Sequence, residues 1–121
     1  MEYNSFEVVV SKVASGVSYT VARISFERRM DLMRRIRELA RRKEFEEAGH
    51  TAGEKMEAAL LAKEIDRTYL LWGLKEVSGL ELDGAPATPE LLAASGPEEL
   101  FREALDAVKS QCGLSEAERK N

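Results

Sequence analysis

The stretch GEKMEAALLAKEIDRTYLLWGLKEVSGLELDG, residues 53–84, decides how the chain is read. No helix breaker interrupts it between Glu54 and Gly73, and it is rich in Ala, Leu, Lys and Glu, which lose little on entering a helix. Over Tyr69-Leu70-Leu71-Trp72 it is apolar on nearly every side, unlike a helix wetted on one face. At about 100° per residue, Met56, Leu60, Lys63, Leu70 and Leu74 share one side, with Leu61, Ile65 and Trp72 roughly opposite. This predicts a helix that begins half exposed and ends wrapped by other elements or another subunit, with the middle of the core around Trp72. Gly73 lies inside a continuing apolar pattern, so the expected end of the helix is Ser78-Gly79.

Upstream, His50-Thr51-Ala52-Gly53 reads as a short linker, preceded by a second helix from Phe26 to about Ala48 that is capped by Ser25 and stopped by Gly49. On a helical wheel Phe26, Met30, Leu32, Met33, Ile36, Leu39 and Ala40 fall on one broad side, with Arg28, Arg34, Arg35, Arg41 and Arg42 away from it. Arg29 and Arg37 sit at or inside the apolar stripe, where they are expected to pair with carboxylates or lay their stems along it.

At the N-terminus, Phe6, Val8 and Val10 alternate with Glu7 and Val9, and Val17, Tyr19 and Val21 alternate with Ser18, Thr20 and Ala22. Two such runs around Ser15-Gly16 predict an antiparallel hairpin. Two strands alone are marginal in water, so the hairpin must lean on a helix or extend a neighbour's sheet. Leu80-Glu81-Leu82, entering an Asp83-Gly84 turn, reads as one further short strand that could join it.

Downstream, Thr88-Pro89-Glu90 places a hydroxyl, a proline and an acid at a helix start, and Ser95-Gly96-Pro97-Glu98-Glu99 reads as the same device repeated. The second of these helices has an apolar side of Leu100, Phe101, Leu105 and Val108, and it stops at Gly113. The fold class expected is α+β and mainly helical: a β-hairpin on about four helices, in one domain over 1–121. The hairpin takes 1–24, the helical body 25–113, and 114–121 is a flexible tail.

The single cysteine, Cys112, excludes an intrachain disulfide, and no secretory segment or membrane-spanning apolar run occurs. A cytoplasmic protein with no membrane partner is expected. Charge is segregated: residues 23–43 hold nine Lys/Arg against three Asp/Glu, leaving nineteen acids against nine bases elsewhere. Arg-rich helices can neutralise phosphates, and a small nucleic-acid-binding regulator using the helix 26–43 is one reading. The acidic surroundings and the absence of interleaved aromatics oppose it, so nucleic acid is not the expected partner. An acidic protein or a second copy of the chain fits better.

No catalytic set is apparent. His50 lacks a Cys, Asp or second His at ligand spacing, and Cys112 lacks a neighbouring cation and histidine. Gly-rich phosphate loops, HExxH, GxSxG and calcium-loop series are missing. The expectation is a non-enzyme with no cofactor and no metal. The residues expected to bind a partner are Phe26, Met30, Met33 and Ile36 in an apolar groove, with Arg29, Arg34, Arg37 and Arg41 selecting acidic groups. The plainer alternative puts Met33 and Ile36 in the intramolecular core.

Three segments, FEVVVSKVASGVSYTVARISFERRMDLMRRIRELA (6–40), YLLWGLKEVSGLELDG (69–84) and GPEELFREALDAVKSQCGLSEAERKN (96–121), together resemble the tail assembly chaperones of siphophages. The resemblance spans much of the chain and rests on no diagnostic motif. A homo-oligomer is expected independently of the resemblance; the resemblance itself implies a mostly helical, non-catalytic protein made in the host cytoplasm. Such a protein holds the tape measure protein, recruits tail tube protein and leaves before the virion is complete. The family is commonly extended by ribosomal frameshifting, and Arg119-Lys120-Asn121 permits the slippery codons AGA AAA AAC, as any such tripeptide does. A permanent virion part, of head completion or tail terminator type, is the alternative in which the hairpin adds strands to a neighbouring subunit.

Overall fold

The computed structural model describes residues 1–113; the expected flexible tail, 114–121, lies outside the described residues. Strands β1 (Phe6–Val10) and β2 (Ser18–Ala22) form the hairpin, in register from Phe6 opposite Ala22 to Val10 opposite Ser18. Gly16 takes the turn at φ 81°, a left-handed conformation open to glycine at little steric cost. The alternation sorts the faces: Val17, Tyr19 and Val21 are buried, whereas Phe6, Val8 and Val10 lie on the outer side of the sheet, exposed.

Helix α1 (Phe26–Glu47) begins where expected, with the Ser25 hydroxyl accepting from the Arg28 N–H at 3.2 Å. Helix α2 (Ala52–Gly73) packs against it as an antiparallel pair. The turn between them is fixed by a capping box. Thr51 Oγ1 accepts from the Glu54 N–H at 3.1 Å, and the Glu54 carboxylate accepts from the Thr51 N–H at 3.3 Å.

The central helix does not run on to Ser78-Gly79. It ends at Gly73, and Leu74–Ser78 is strand β3, antiparallel to β2 with Ser18 opposite Ser78 and Thr20 opposite Glu76. Gly73 is buried against the Val108 side chain of the last helix, where a Cβ would collide, so glycine lets that helix approach the end of α2 closely. Beyond it the chain satisfies its backbone on the open edge of β2, which extends the hairpin to a sheet of order β1-β2-β3. Leu74 and Val77 turn inward while Lys75 and Glu76 face solvent.

The short strand at Leu80-Glu81-Leu82 also corrects an expectation. Strand β4 (Glu81–Leu82) pairs with β5 (Ala85–Pro86) across an Asp83-Gly84 turn, both turn residues at positive φ, rather than with the hairpin.

Helix α3 (Pro89–Ser95) is capped by Thr88, whose hydroxyl accepts from the Leu91 N–H at 3.1 Å. Helix α4 (Glu98–Gln111) has Pro97 at its N-cap and no side-chain cap. Ser95 is not its cap, because it is the last residue of α3, where its hydroxyl donates to the Leu91 carbonyl, and the N-cap position of α4 falls on Pro97; the acids Glu98 and Glu99 favour the α4 N-terminus instead. At the other end Gly113 has φ 78°, as a helix stop requires.

Tyr19, Val21, Leu70, Leu92, Ala104 and Val108 form the centre of the core, between the sheet and α2, α3 and α4. Trp72 is half-buried and packs against this core from outside rather than forming its middle. A carboxylate pins the hairpin loop to α4. Glu103 accepts from the Ser11 hydroxyl at 2.5 Å, the Tyr19 hydroxyl at 2.8 Å and the Lys12 N–H at 2.8 Å.

Candidate functional site

Helix α1 carries two faces, because its 3.6-residue period sends neighbouring apolar residues in different directions. Leu32 is buried and Leu39 half-buried toward α2, where Leu61 is buried and Ile65 and Trp72 half-buried. Phe26, Met30, Met33, Arg37, Ala40 and Glu44 recur at intervals of three or four along the opposite side. The single broad apolar stripe expected from the sequence is therefore two stripes.

The inward face is fastened by polar contacts at both ends. The Arg28 guanidinium lies 4.4 Å from the centre of the Trp72 ring and donates to the Trp72 carbonyl at 3.0 Å. The Trp72 indole N–H donates to Asp31 Oδ2 at 3.2 Å, and Asp31 also accepts from Arg35 Nε at 2.9 Å. The Arg35 hydrogen bond and the neighbouring cations hold the Asp31 carboxyl below its ordinary range. Toward the other end, Arg42 reaches Glu57 at 3.7 Å. Arg28, expected among the solvated arginines, is thus partly buried on an indole.

The outward face is an open trough along α1, lined by Met30, Met33, Arg34, Ile36, Arg37, Ala40, Arg41 and Glu44. Met33 is 60% exposed and Phe26, one turn before the trough, 79%. Met30 and Ile36 are half-buried at its floor.

Of the four arginines expected to serve a partner, two are already engaged. Arg29 donates to the Cys112 carbonyl at the C-terminal end of α4, at 3.4 Å. Arg41 forms a two-point contact with Glu38, at 2.5 and 3.1 Å. Arg29 and Arg37 were expected to pair with carboxylates or to lie along the apolar stripe; neither has a carboxylate partner among the described residues. Arg34 and Arg37 make no hydrogen bond or ion pair there, and they stand beside Met33 and Ile36 as uncommitted cations.

One exposed aromatic escaped the sequence reading. Phe45 is 74% exposed near the end of α1, and its signal was an aromatic set among Lys43, Glu44, Glu46 and Glu47 with no apolar residue one turn away on the inward face.

Elsewhere the chemistry is quiet. His50 is exposed, and Cys112 is buried, its thiol pushed up by burial although Arg29 and Arg28 act in the opposite sense. Among the described residues no cluster of His, Cys, Asp and Glu is placed to hold a metal ion, and no helix is long and apolar enough to cross a membrane. Comparison with family models, curated proteins and solved structures found no match to this chain.

Proposed function

We propose that the chain is a non-catalytic tail assembly chaperone of the siphophage type, binding the tape measure protein and tail tube subunits in the host cytoplasm during tail assembly. One observation carries this reading: the outward face of α1 sets Met30, Met33 and Ile36 beside the uncommitted Arg34 and Arg37. A long helical client laid along α1 would bury its apolar stripe on the methionines, whose flexible thioether side chains adapt to varied surfaces. Carboxylates flanking that stripe would pair with the two arginines and fix its register. The acidic remainder of the chain disfavours acidic clients everywhere except along this helix.

Co-expression with the tape measure and tail tube proteins of the same genome, followed by affinity capture, tests the proposal. Wild type is expected to retain a client, and Met33→Glu or Arg37→Glu to retain at least tenfold less while remaining folded. Purified particles are expected to lack the chain. A folded wild type that captures neither client, or a fixed copy number in particles, overturns the reading; the second outcome marks a permanent virion part. Nucleic-acid binding through α1 that weakens steeply with salt would replace it by the regulator.

A further inference from the structure

The sheet ends on one side in β1, and among the described residues no strand pairs with the outer edge of β1. In the hairpin, Arg23 N–H donates to the Ser5 carbonyl and Ser11 N–H to the Val17 carbonyl, both at 2.8 Å. With the register of the pair, this assigns the backbone groups of Glu7 and Val9 to β2 and turns those of Phe6, Val8 and Val10 to the open edge. The side chains of the same three residues are exposed, at 37%, 62% and 68%. Edge strands are normally blunted by charged residues, proline or a bulge; FEVVV has no proline or bulge, and its one charge, Glu7, is engaged by Gln111 and Arg23. The opposite end strand, β3, carries Lys75, Glu76 and a register irregularity against β2.

We propose that β1 pairs with β1 of a second copy, antiparallel and centred on Val8, so that two sheets join into one across a two-fold axis. A strand edge calls for another strand, and this one is complementary to itself. Centring on Val8 sets Val8 opposite Val8 of the partner subunit and Phe6 opposite Val10 of the partner subunit, which satisfies all the outward-facing backbone groups of both strands. Glu7 then faces Val9 of the partner subunit rather than a second carboxylate. Centring on Glu7 would instead oppose two like charges directly, which is unfavourable. The joined outer faces make one apolar strip of Phe6, Val8 and Val10 from each copy. An isologous contact of this kind closes at two copies and leaves no further β1 edge to propagate. The pairing needs nothing from the outward face of α1 and stands or falls apart from client binding.

Sedimentation over a range of concentrations, with circular dichroism as a check on folding, reads the association directly. Wild type is expected to be dimeric. Val8→Lys and Val8→Pro are each expected to raise the dissociation constant at least tenfold, because the proline removes only a donor that faces away from β2.

The register is tested by oxidation. Directly opposed residues of a hydrogen-bonded pair have Cα atoms about 5.5 Å apart, within disulfide range. Val8→Cys is therefore expected to give a covalent dimer, and Val10→Cys, paired with Phe6, is not. A wild type that stays monomeric at all concentrations overturns the proposal. So does a dimer that survives both edge substitutions, or equal cross-linking at the two positions. A strand from a different protein on this edge would appear as a monomeric free chain and counts against it.

Discussion

Arg28 stacks on Trp72 at 4.4 Å and also donates to the carbonyl of that same residue, so one guanidinium grips both the ring and the backbone at the end of α2. A cation over an indole favours the pair by roughly 0.5–2 kcal/mol, depending on desolvation. Arg28 Nε is buried without a partner among the described residues, so the stack, the Nη2 bond and the attraction of Asp31 hold the side chain. Arg28→Ala is expected to destabilise the fold by about 1–3 kcal/mol in denaturant titration. Arg28→Lys should recover little, since an ammonium reproduces neither the planar stack nor the second donor. Equal stability of wild type and Arg28→Ala would show that the stack contributes nothing.

Gly73, the last residue of α2, is where α4 comes closest to that helix's backbone. A Cβ there would meet the Val108 side chain of α4, in a core packed too tightly to absorb another carbon. Gly73→Ala is expected to cost about 1–3 kcal/mol through overpacking, despite alanine's better helix propensity. Adding Val108→Ala should make the penalty for alanine at position 73 smaller than it is in the wild-type background, a non-additivity that a double-mutant cycle measures.

The hairpin was legible in the sequence because Val17, Tyr19 and Val21 alternate strictly with smaller or polar residues. The starts of α1 and α3 were marked by Ser25 and by Thr88-Pro89, both local signals, whereas α2 begins at Ala52, inside the linker expected over 50–53. Strand β3 was hidden because Leu74 and Val77 are spaced by three, which suits a helix as well as an irregular strand. Pairing with the edge of β2 decides between them, and that contact is long-range. Likewise, the split of α1 into two faces required knowing that Leu32 and Leu39 meet α2. The Arg28 contact with Trp72 spans 44 residues of sequence and left no local trace. Of the expected partner-binding residues, Met30, Met33, Arg34, Ile36, Arg37 and Arg41 line one trough, while Phe26 lies one turn beyond and Arg29 is turned toward α4.

Glu103 makes stability depend on acid. Burial raises its pKa, but hydrogen bonds from Ser11, the Lys12 amide and Tyr19 outweigh this and hold the carboxyl below its ordinary value. A folded-state pKa below the unfolded one gives stabilisation that is complete above the unfolded value and is lost as pH falls through the folded one. Glu103→Gln, which cannot accept all three donors, is expected to be less stable than wild type at neutral pH. The gap should narrow below the usual carboxylate range. Denaturant midpoints at neutral and acidic pH check this, and a gap that widens in acid contradicts the assignment. Tyr19 moves the other way, with burial first and Glu103 second pushing its phenol above the ordinary range, so it remains a donor throughout.

Leu32 and Met33 are neighbours in the chain and opposites in the fold. Leu32 is 4% exposed against α2 and Met33 60% exposed in the trough, a difference produced by one 100° step of the helix. Burying a carboxylate without a partner is among the most destabilising single changes, so Leu32→Asp is expected to cost about 3 kcal/mol or more. Met33→Asp should stay within about 0.5 kcal/mol of wild type, because a surface position away from buried contacts tolerates polarity. Arg37→Glu belongs with Met33→Asp: it breaks no ion pair and removes a cation from an arginine-dense helix. Thermal melts of the three variants are the measurement, and they separate two meanings that the apolar residues of α1 share in sequence. A melting temperature for Met33→Asp as low as that for Leu32→Asp would place Met33 in the intramolecular core and leave the trough without its central contact.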